Sequence, residues 1–234
     1  MLASIGRPRY TGCMPDSPAD LLIILAAYLI GSISFAVIVS RWFGLPDPRT
    51  YGSKNPGATN VLRSGRKAAA ILTLAGDGLK GWLAVALAKG GLAAGLAHDG
   101  HGFADTTIAL VALAVFLGHL YPVFFRFIGG KGVATAAGVL FALNPWLGLG
   151  LLVIWLVLAV GLKLSSLAAL AATVAALPLA WWLGMPPVFL ASIAVIALLL
   201  VWRHRSNIRK LLSGTESGFG AKADAGKEDP SAQP

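Results

Sequence analysis

Residues 146–162 read WLGLGLLVIWLVLAVGL, a continuous apolar run without a single charged side chain. Within lipid, only helices and closed barrels satisfy all their backbone hydrogen-bonding groups. Strands of a membrane barrel alternate apolar and polar residues, and this run does not alternate. The run therefore predicts a membrane-spanning helix.

The composition of the whole chain extends this prediction. Of its 234 residues, 56% are hydrophobic and only 12% are charged, and the mean hydropathy is +0.74. A soluble domain carries about twice that charged fraction. A net charge of +9 would favour nucleic-acid binding in a soluble protein, but beside apolar spans it is typical of a topology signal, so no nucleic-acid partner is expected. Cys13 is the only cysteine, which excludes an intramolecular disulfide.

Turn signals on both sides of that run divide the chain into seven predicted spans, which gives an all-α, polytopic transmembrane helix bundle. The predicted spans are 21–40, 68–88, 106–127, 133–143, 146–162, 167–183 and 188–202. The fourth is short enough to cross the bilayer only in part. Residues 1–18 are predicted to be a flexible N-terminal tail, 19–212 the membrane domain and 213–234 a disordered C-terminal tail.

The distribution of cations predicts the orientation of these spans. When the loop after the first span is placed in the cytoplasm, fifteen Lys and Arg residues fall inside and three outside, with Lys80 within a span. Cytoplasmic loops are enriched in Lys and Arg. The N-terminus is therefore predicted outside and the C-terminus in the cytoplasm.

The first candidate site is the polar stretch 52–63, which reads GSKNPGATNVLR. Small residues such as Gly57 let backbone amides approach an anion, and Thr59 and Asn60 add neutral donors. Arg63 offers a planar guanidinium that matches phosphate. The stretch predicts phosphate binding, and an ordinary cytoplasmic loop with topological charges is the alternative.

The second candidate is 129–135, GGKGVAT, at the start of the fourth span. Backbone amides at a helix N-terminus form an anion site, to which Lys131 adds a charge while Gly129, Gly130 and Gly132 remove bulk. Gly132 follows the lysine where a Walker A motif requires Ser or Thr, so nucleotide hydrolysis is not indicated. A glycine-rich turn between two spans is the alternative.

Two charged residues lie within the second predicted span. Asp77 and Lys80 are three positions apart, so they face each other on a helix. Charges at membrane depth are unfavourable unless they are paired or functional. A structural ion pair is the leading interpretation, and a direct catalytic role is the alternative.

The last polar block is 203–209, RHRSNIR, where the seventh span leaves the membrane. His204 and Asn207 are three apart and would share a face of a continued helix, where they could hydrogen-bond a polar substrate. A polybasic anchor for anionic lipid is the alternative.

The sequence offers no metal site. It has no Cys/His zinc spacing, and Asp77 is the only carboxylate within a predicted span. This argues against metal-dependent phosphotransfer, and neither a metal nor another cofactor is expected.

In chain order, these blocks resemble the bacterial acyl-phosphate:glycerol-3-phosphate acyltransferase family (PlsY-type). The resemblance is colinear from about residue 22 to residue 216, and several blocks together make it specific. The blocks are GSISF at 31–35, the stretch 52–63, DGLKG at 77–81, GHLYPVF at 118–124, GGKGVAT at 129–135, SLA at 166–168 and RHRSNI at 203–208.

The resemblance implies roles for individual residues. It assigns the catalytic residues as Ser53, Arg63 and Lys131, and it places the family's glycine-rich phosphate hole at 129–132. It also implies that the tail residues His204 and Asn207 hold glycerol 3-phosphate. Ser166 is a further candidate binding residue.

The resemblance also implies an activity and a location. The acyl group of an acyl phosphate would pass to the 1-hydroxyl of glycerol 3-phosphate, giving lysophosphatidic acid and phosphate in the first acylation step of phospholipid synthesis. The enzyme would work without a cofactor, as a monomer embedded in the lipid of the bacterial cytoplasmic (inner) membrane, with its active site facing the cytoplasm.

A transporter or channel for a phosphorylated metabolite is the rival interpretation. It would share the spans and the basic site, but we would expect internal repeats and polar residues along several spans. A purely structural membrane anchor leaves Asp77 and Lys80 unexplained.

Overall fold

The computed structural model of the protein describes residues 17–90 and 103–218. These two ranges contain ten α-helices and one 3₁₀ turn, Val123–Phe125, and no β-strand. The helices are α1 (Pro18–Gly31), α2 (Phe35–Trp42), α3 (Ala58–Leu62), α4 (Lys67–Lys89), α5 (Asp105–Leu120), α6 (Val133–Leu143), α7 (Pro145–Leu162), α8 (Ser165–Trp182), α9 (Pro187–Arg203) and α10 (Arg205–Leu212). The predicted all-α class is confirmed, whereas Cys13 and most of both predicted tails lie outside the described residues.

Local capping explains where several helices begin. At α1, the Ser17 hydroxyl accepts a hydrogen bond from the Asp20 amide at 3.1 Å, and the Asp20 carboxylate accepts one from the Ser17 amide at 3.3 Å. At α7, the Asn144 side chain accepts bonds from two backbone amides, and Pro145 occupies the first helical position. Each cap satisfies amides that have no partner within the helix.

Four helical segments within the described residues are long and apolar enough to cross a membrane, and the two bent pairs α1–α2 and α9–α10 bring the number to as many as six. The four are α4, the segment Asp105–Phe125, α7 and α8. The helix α6 has only 11 residues, and its bounds coincide with the predicted fourth span. The protein thus has the helices of an integral membrane protein, in agreement with the composition.

The first predicted span, 21–40, falls on two helices, α1 and α2, rather than on one. The chain bends by 42° between α1 and α2. The Lys80 ammonium of α4 donates a hydrogen bond of 2.6 Å to the Ile33 carbonyl in the break, and the Ser32 hydroxyl donates one of 2.9 Å to the Tyr28 carbonyl. The Lys80 ammonium thus satisfies a carbonyl that the broken helix would otherwise leave unpaired in an apolar environment. The Ser32 hydroxyl adds a second bond to the Tyr28 carbonyl, which already accepts one from the Ser32 amide.

Small residues let the helix backbones approach each other closely. A Cβ atom at Gly138 of α6 would overlap the Gly78 carbonyl of α4, and one at Gly118 of α5 would overlap the Tyr28 carbonyl of α1. Without a hydrophobic force between helices in lipid, such close van der Waals packing contributes to the association of helices. The pairs α1–α5 and α4–α6 are fixed in this way, and the loops at their ends are fixed with them.

Candidate active site

A cavity of about 690 Å³ lies between α4, α6, α7, α8 and α9. Most of the polar lining comes from loops and helix ends and includes Ser53, Thr59, Arg63, Lys131, Ser166, His204, Asn207 and Glu216. The apolar lining comes from the middle of the helices and includes Leu74, Leu79, Trp82, Leu151, Leu152, Trp155, Ile193 and Ile196. One continuous space therefore joins a polar, cation-bearing end to an apolar interior.

The loop between α2 and α4 is held from within by Asn60, which is only 2% exposed. Its amide donates hydrogen bonds to the carbonyl of Pro48 at 2.7 Å and of Tyr51 at 3.2 Å. Its carbonyl oxygen accepts a bond of 3.0 Å from the Ser53 amide. Both ends of the side chain are thus used by the loop itself, so we assign Asn60 to positioning Ser53 rather than to direct substrate contact.

Gly52 and Arg63 complete this loop. Gly52 has a φ of +56°, and a Cβ atom there would meet the Asn60 side-chain oxygen and the Arg63 side chain. The tight turn therefore requires glycine. Among the described residues, no acceptor binds the Arg63 guanidinium, which lines the cavity and is available to an anion.

The glycine-rich turn before α6 is held from outside by Arg203 of α9. The Arg203 guanidinium donates a bond of 2.8 Å to the Gly129 carbonyl and bonds of 2.9 and 3.1 Å to the Gly130 carbonyl. The Gly130 amide donates to the His119 carbonyl at 3.2 Å. This amide is already used, and Gly129 and Gly130 support the turn behind the cavity wall rather than line it.

Gly132 ends the turn and begins α6. Its φ is +90°, and a Cβ atom would collide with the Phe116 ring, so glycine is required here too. No side chain caps α6, and the first residues of the helix, Val133 and Ala134, line the cavity. The uncapped amides of a helix N-terminus attract anions, so the amides that follow Lys131 are the part of the turn suited to the predicted anion site.

Lys131 leads a chain of hydrogen bonds across the mouth of the cavity. Its ammonium donates to the Asn207 side-chain oxygen, and the Asn207 amide donates a 2.6 Å bond to the Glu216 carboxylate. The Ser166 hydroxyl donates a second 2.6 Å bond to the same oxygen, Oε1. Burial lowers the pKa of Lys131 to about 8, although the Glu216 carboxylate acts in the opposite direction.

His204 lies at a 57° bend between α9 and α10, so the predicted continuous helix through His204 and Asn207 is wrong. Both residues nevertheless line the cavity. The ring of His204 is buried, and its Nδ1 lies 2.8 Å from the Leu200 carbonyl. A carbonyl only accepts hydrogen bonds, so Nδ1 carries a proton and a neutral ring presents Nε2 as an acceptor.

Asp77 and Lys80 form an ion pair within α4. The Lys80 ammonium lies 2.8 Å from Asp77 Oδ1, and both side chains are buried. His119 Nδ1 of α5 lies 3.6 Å from the same carboxylate oxygen. The lysine is also committed to the Ile33 carbonyl, so the pair joins α4 to the helix break and to α5.

Two parts of the site were missing from the sequence-based prediction. Residues 213–218 belong to the predicted disordered tail, yet the structure describes them and brings Glu216 to the cavity. The apolar interior has no counterpart among the predicted site residues, all of which are polar or glycine. Among residues 17–90 and 103–218, no group of three or more His, Cys, Asp and Glu side chains is arranged to bind a metal ion.

The profile of the glycerol-3-phosphate acyltransferase family matches residues 21–214. This chain belongs to that family. The glycerol-3-phosphate acyltransferase of Cupriavidus taiwanensis is 60% identical over 204 residues, which is 87% of this chain and 98% of the relative. The corresponding protein of a Janthinobacterium species is also 60% identical over 204 residues, covering 86% of this chain and 98% of the relative. The resemblance inferred from the sequence motifs is confirmed.

Solved structures of this acyltransferase family share the fold. The chain is similar to the crystal structure of PlsY (YgiH), an integral membrane glycerol 3-phosphate acyltransferase, in its glycerol 3-phosphate form. The TM-score is 0.78 at 39% identity, over 86% of this chain and 96% of that one. The lysophosphatidic acid form gives a TM-score of 0.76 at 37% identity, over 87% of this chain and 96% of that one. The chain is thus an integral membrane acyltransferase of this fold.

Proposed function

We propose that the protein transfers a fatty acyl group from acyl phosphate to the 1-hydroxyl of glycerol 3-phosphate. The products are 1-acyl-glycerol 3-phosphate and inorganic phosphate. The observation that carries this proposal is the cavity, in which Arg63, Lys131 and the open N-terminus of α6 adjoin an apolar interior. A substrate with a phosphate group and a fatty chain matches both parts of that cavity.

The cations and amides provide the electrostatic part of catalysis. Arg63 binds phosphate with two parallel donors, Lys131 adds a point charge, and the α6 amides add oriented dipoles. In a site shielded from water, such groups stabilise the negative charge that develops on the leaving phosphate. The apolar helix faces hold the acyl chain, which enters from the bilayer.

The reaction needs no strong nucleophile on the protein, because phosphate is a good leaving group. The glycerol oxygen forms the new bond to the acyl carbon, the bond from that carbon to the phosphate oxygen breaks, and the phosphate carries away the electron pair. The hydroxyl proton passes to a phosphate oxygen. Ser53 has no histidine or carboxylate partner among the described residues, so we assign it to orienting the hydroxyl rather than to forming an acyl-enzyme.

The proposed topology has seven spans, with α6 as the short fourth one, the N-terminus outside and the C-terminus in the cytoplasm. The charge distribution supports it, with fifteen Lys and Arg residues on the proposed inner side and three on the outer. The active site then faces the cytoplasm of a bacterial inner membrane, where soluble glycerol 3-phosphate is available. The enzyme works as a monomer without a metal or other cofactor.

Phosphate release from acyl phosphate by the purified protein in detergent tests the proposal. We expect release that depends on glycerol 3-phosphate, equals the lysophosphatidic acid formed, and persists in the presence of EDTA. The matched control omits the glycerol 3-phosphate. A folded protein that releases no phosphate and forms no acylated product contradicts the proposal.

A further inference from the structure

Glu216 is the acidic residue that faces the polar end of the cavity without a cationic side chain committed to it. The other carboxylate on the described part of the cavity lining, Asp77, forms an ion pair with Lys80. Glu216 instead accepts its hydrogen bonds from a hydroxyl and an amide. A carboxylate at the mouth of an anion-binding cavity needs a function of its own, because it repels the phosphates that the cations attract.

The two hydrogen bonds to Glu216 fix the position of its carboxylate. Both end on Oε1, one from Ser166 at the start of α8 and one from Asn207 of α10, each at 2.6 Å. Two charge-assisted bonds from separate helices fix the position of this oxygen. Among the described residues, no donor binds Oε2, and Glu216 lines the cavity. The second oxygen therefore has no donor among the described residues, and it belongs to a side chain that lines the ligand space.

Glycerol 3-phosphate needs acceptors as well as donors. Its phosphate only accepts hydrogen bonds at full charge, but each of its two hydroxyls also has a proton to donate. Two amide oxygens of the cavity lining are occupied: Asn207 Oδ1 binds Lys131, and Asn60 Oδ1 binds the Ser53 amide. The neutral ring of His204 offers a further acceptor, its Nε2, and the hydroxyl of Ser53 and the amide of Asn55 offer neutral ones. On the described lining, Glu216 is the carboxylate outside an ion pair, and a charged acceptor binds a hydroxyl more strongly than a neutral one.

We propose that Glu216 is a specificity-determining residue whose free carboxylate oxygen accepts a hydrogen bond from the secondary hydroxyl of glycerol 3-phosphate. The inference rests on the proposed function and adds a substrate contact to it. The primary hydroxyl must reach the acyl carbonyl, so the secondary hydroxyl is the one left for a fixed protein acceptor. The phosphate of the same molecule then lies toward Arg63 and Lys131, away from the carboxylate.

This arrangement selects a polyol phosphate over a simple alcohol phosphate. A site that offers an acceptor to a hydroxyl binds an analogue without that hydroxyl less tightly, because the charge-assisted hydrogen bond is then lost. The pairing of Lys131 with Asn207, and of Asn207 with Glu216, also links the phosphate-binding cation to the hydroxyl-binding carboxylate. One rigid chain of hydrogen bonds thereby sets the distance between the two ends of the acceptor substrate.

The test compares glycerol 3-phosphate with 3-hydroxypropyl phosphate, which keeps the primary hydroxyl and the phosphate but lacks the secondary hydroxyl. We expect Glu216→Gln to lower kcat/KM for glycerol 3-phosphate by about 10- to 100-fold, the worth of a charge-assisted hydrogen bond. The kcat/KM for the analogue should change by less than about 3-fold, because its missing hydroxyl cannot use the carboxylate. Glu216→Asp, which keeps the charge, should retain part of the discrimination.

Thr215→Val serves as the matched control, because Thr215 is the exposed neighbour and does not line the cavity. It should leave the ratio of the two kcat/KM values unchanged. An equal loss for both substrates in Glu216→Gln overturns the inference, since it would mark a structural or acid–base role. A gain with glycerol 3-phosphate also overturns it, since Glu216 would then compete with the phosphate. If the wild type shows no transfer that depends on glycerol 3-phosphate, the proposed function itself fails.

Discussion

The two cation-bearing loops of the cavity are built in opposite ways. The loop that carries Ser53 and Arg63 is organised by its own residue Asn60, which bonds three backbone groups of the same loop. The turn that carries Lys131 is organised by Arg203, which lies far along the chain on α9. The first loop is therefore a local structure, and the second exists only when α9 is packed in place.

The two loops therefore differ in how well the sequence alone predicts them. A local loop can be recognised from adjacent residues, because the groups that shape it are all present in one stretch. For a turn held by a remote side chain, the local sequence contains the glycines that allow the turn but not the residue that stabilises it. The contrast also predicts different sensitivities to substitution, which the following experiments measure from the largest expected effect to the smallest.

Removing the Lys131 charge should have the largest effect. We expect Lys131→Ala to lower kcat/KM by about 10²–10³-fold, as does the loss of one preorganised charge-stabilising donor. Steady-state phosphate release measures the change. Lys67→Ala removes an exposed lysine at the start of α4 and should retain activity. Comparable activity in the two variants would contradict a catalytic role for the turn.

Removing the hydrogen bonds that Arg203 donates to the glycine-rich turn should have the next largest effect on activity. We expect Arg203→Gln to lower kcat/KM by about 100-fold, because the Gly129 and Gly130 carbonyls lose their donors and Lys131 is displaced. Arg205→Gln is the control, since Arg205 is exposed and stacks on Trp202 at 4.7 Å. Equal effects of the two substitutions would show that the loss is one of general basic charge.

Weakening the locally held loop should have a smaller effect. Asn60→Ala removes the side-chain donor of the Pro48 carbonyl and one of the two donors of the Tyr51 carbonyl, which destabilises the loop by about 1–3 kcal/mol. We expect activity to fall about 10-fold, since the remaining backbone bonds of α3 keep much of the loop in place. Thermal unfolding measures the loss of stability and phosphate release the loss of activity. Thr50→Ala, at an exposed position of the same loop, is the control. A loss larger than that of Arg203→Gln would reverse the comparison.

The pH dependence should give the smallest effect. The pKa of Lys131 is lowered to about 8 by burial, so the ammonium deprotonates as the pH rises through that value. We expect kcat/KM for glycerol 3-phosphate, which reports the free enzyme, to be about half its maximum near pH 8 and to fall further above it. Lys131→Arg keeps the charge and should remove the decline over this range. An identical decline in both proteins would assign it to another group.

Much of the helical framework is predictable from sequence. The bounds of α6 agree with the prediction because Gly132 precedes the helix and Asn144-Pro145 follows it. The bend between α1 and α2 was not predictable, because the hydrogen bond that satisfies the Ile33 carbonyl comes from Lys80, on a different helix. Hydropathy detects the apolar run of the first span, but it does not detect that Lys80 stabilises the break within it.

The site residues divide in the same way. The motifs brought Ser53, Arg63, Lys131, His204 and Asn207 to attention, and the structure lines one cavity with all of them. Glu216 could not be found from sequence, because its approach to Ser166 depends on the bend at His204 and on the turn after α10. Its surroundings have the composition of a solvated tail.

From the intrahelical ion pair of α4 we expect a consequence for how the chain enters the bilayer during synthesis. Asp77 and Lys80 lie on the same helix, so they can neutralise each other before any neighbouring span is present. The insertion machinery then receives a segment with a compact dipole rather than two separate charges. Ile33, whose carbonyl accepts the hydrogen bond from Lys80, precedes the lysine in the chain and is synthesised before it. The order of synthesis thus matches the order in which the partners are needed.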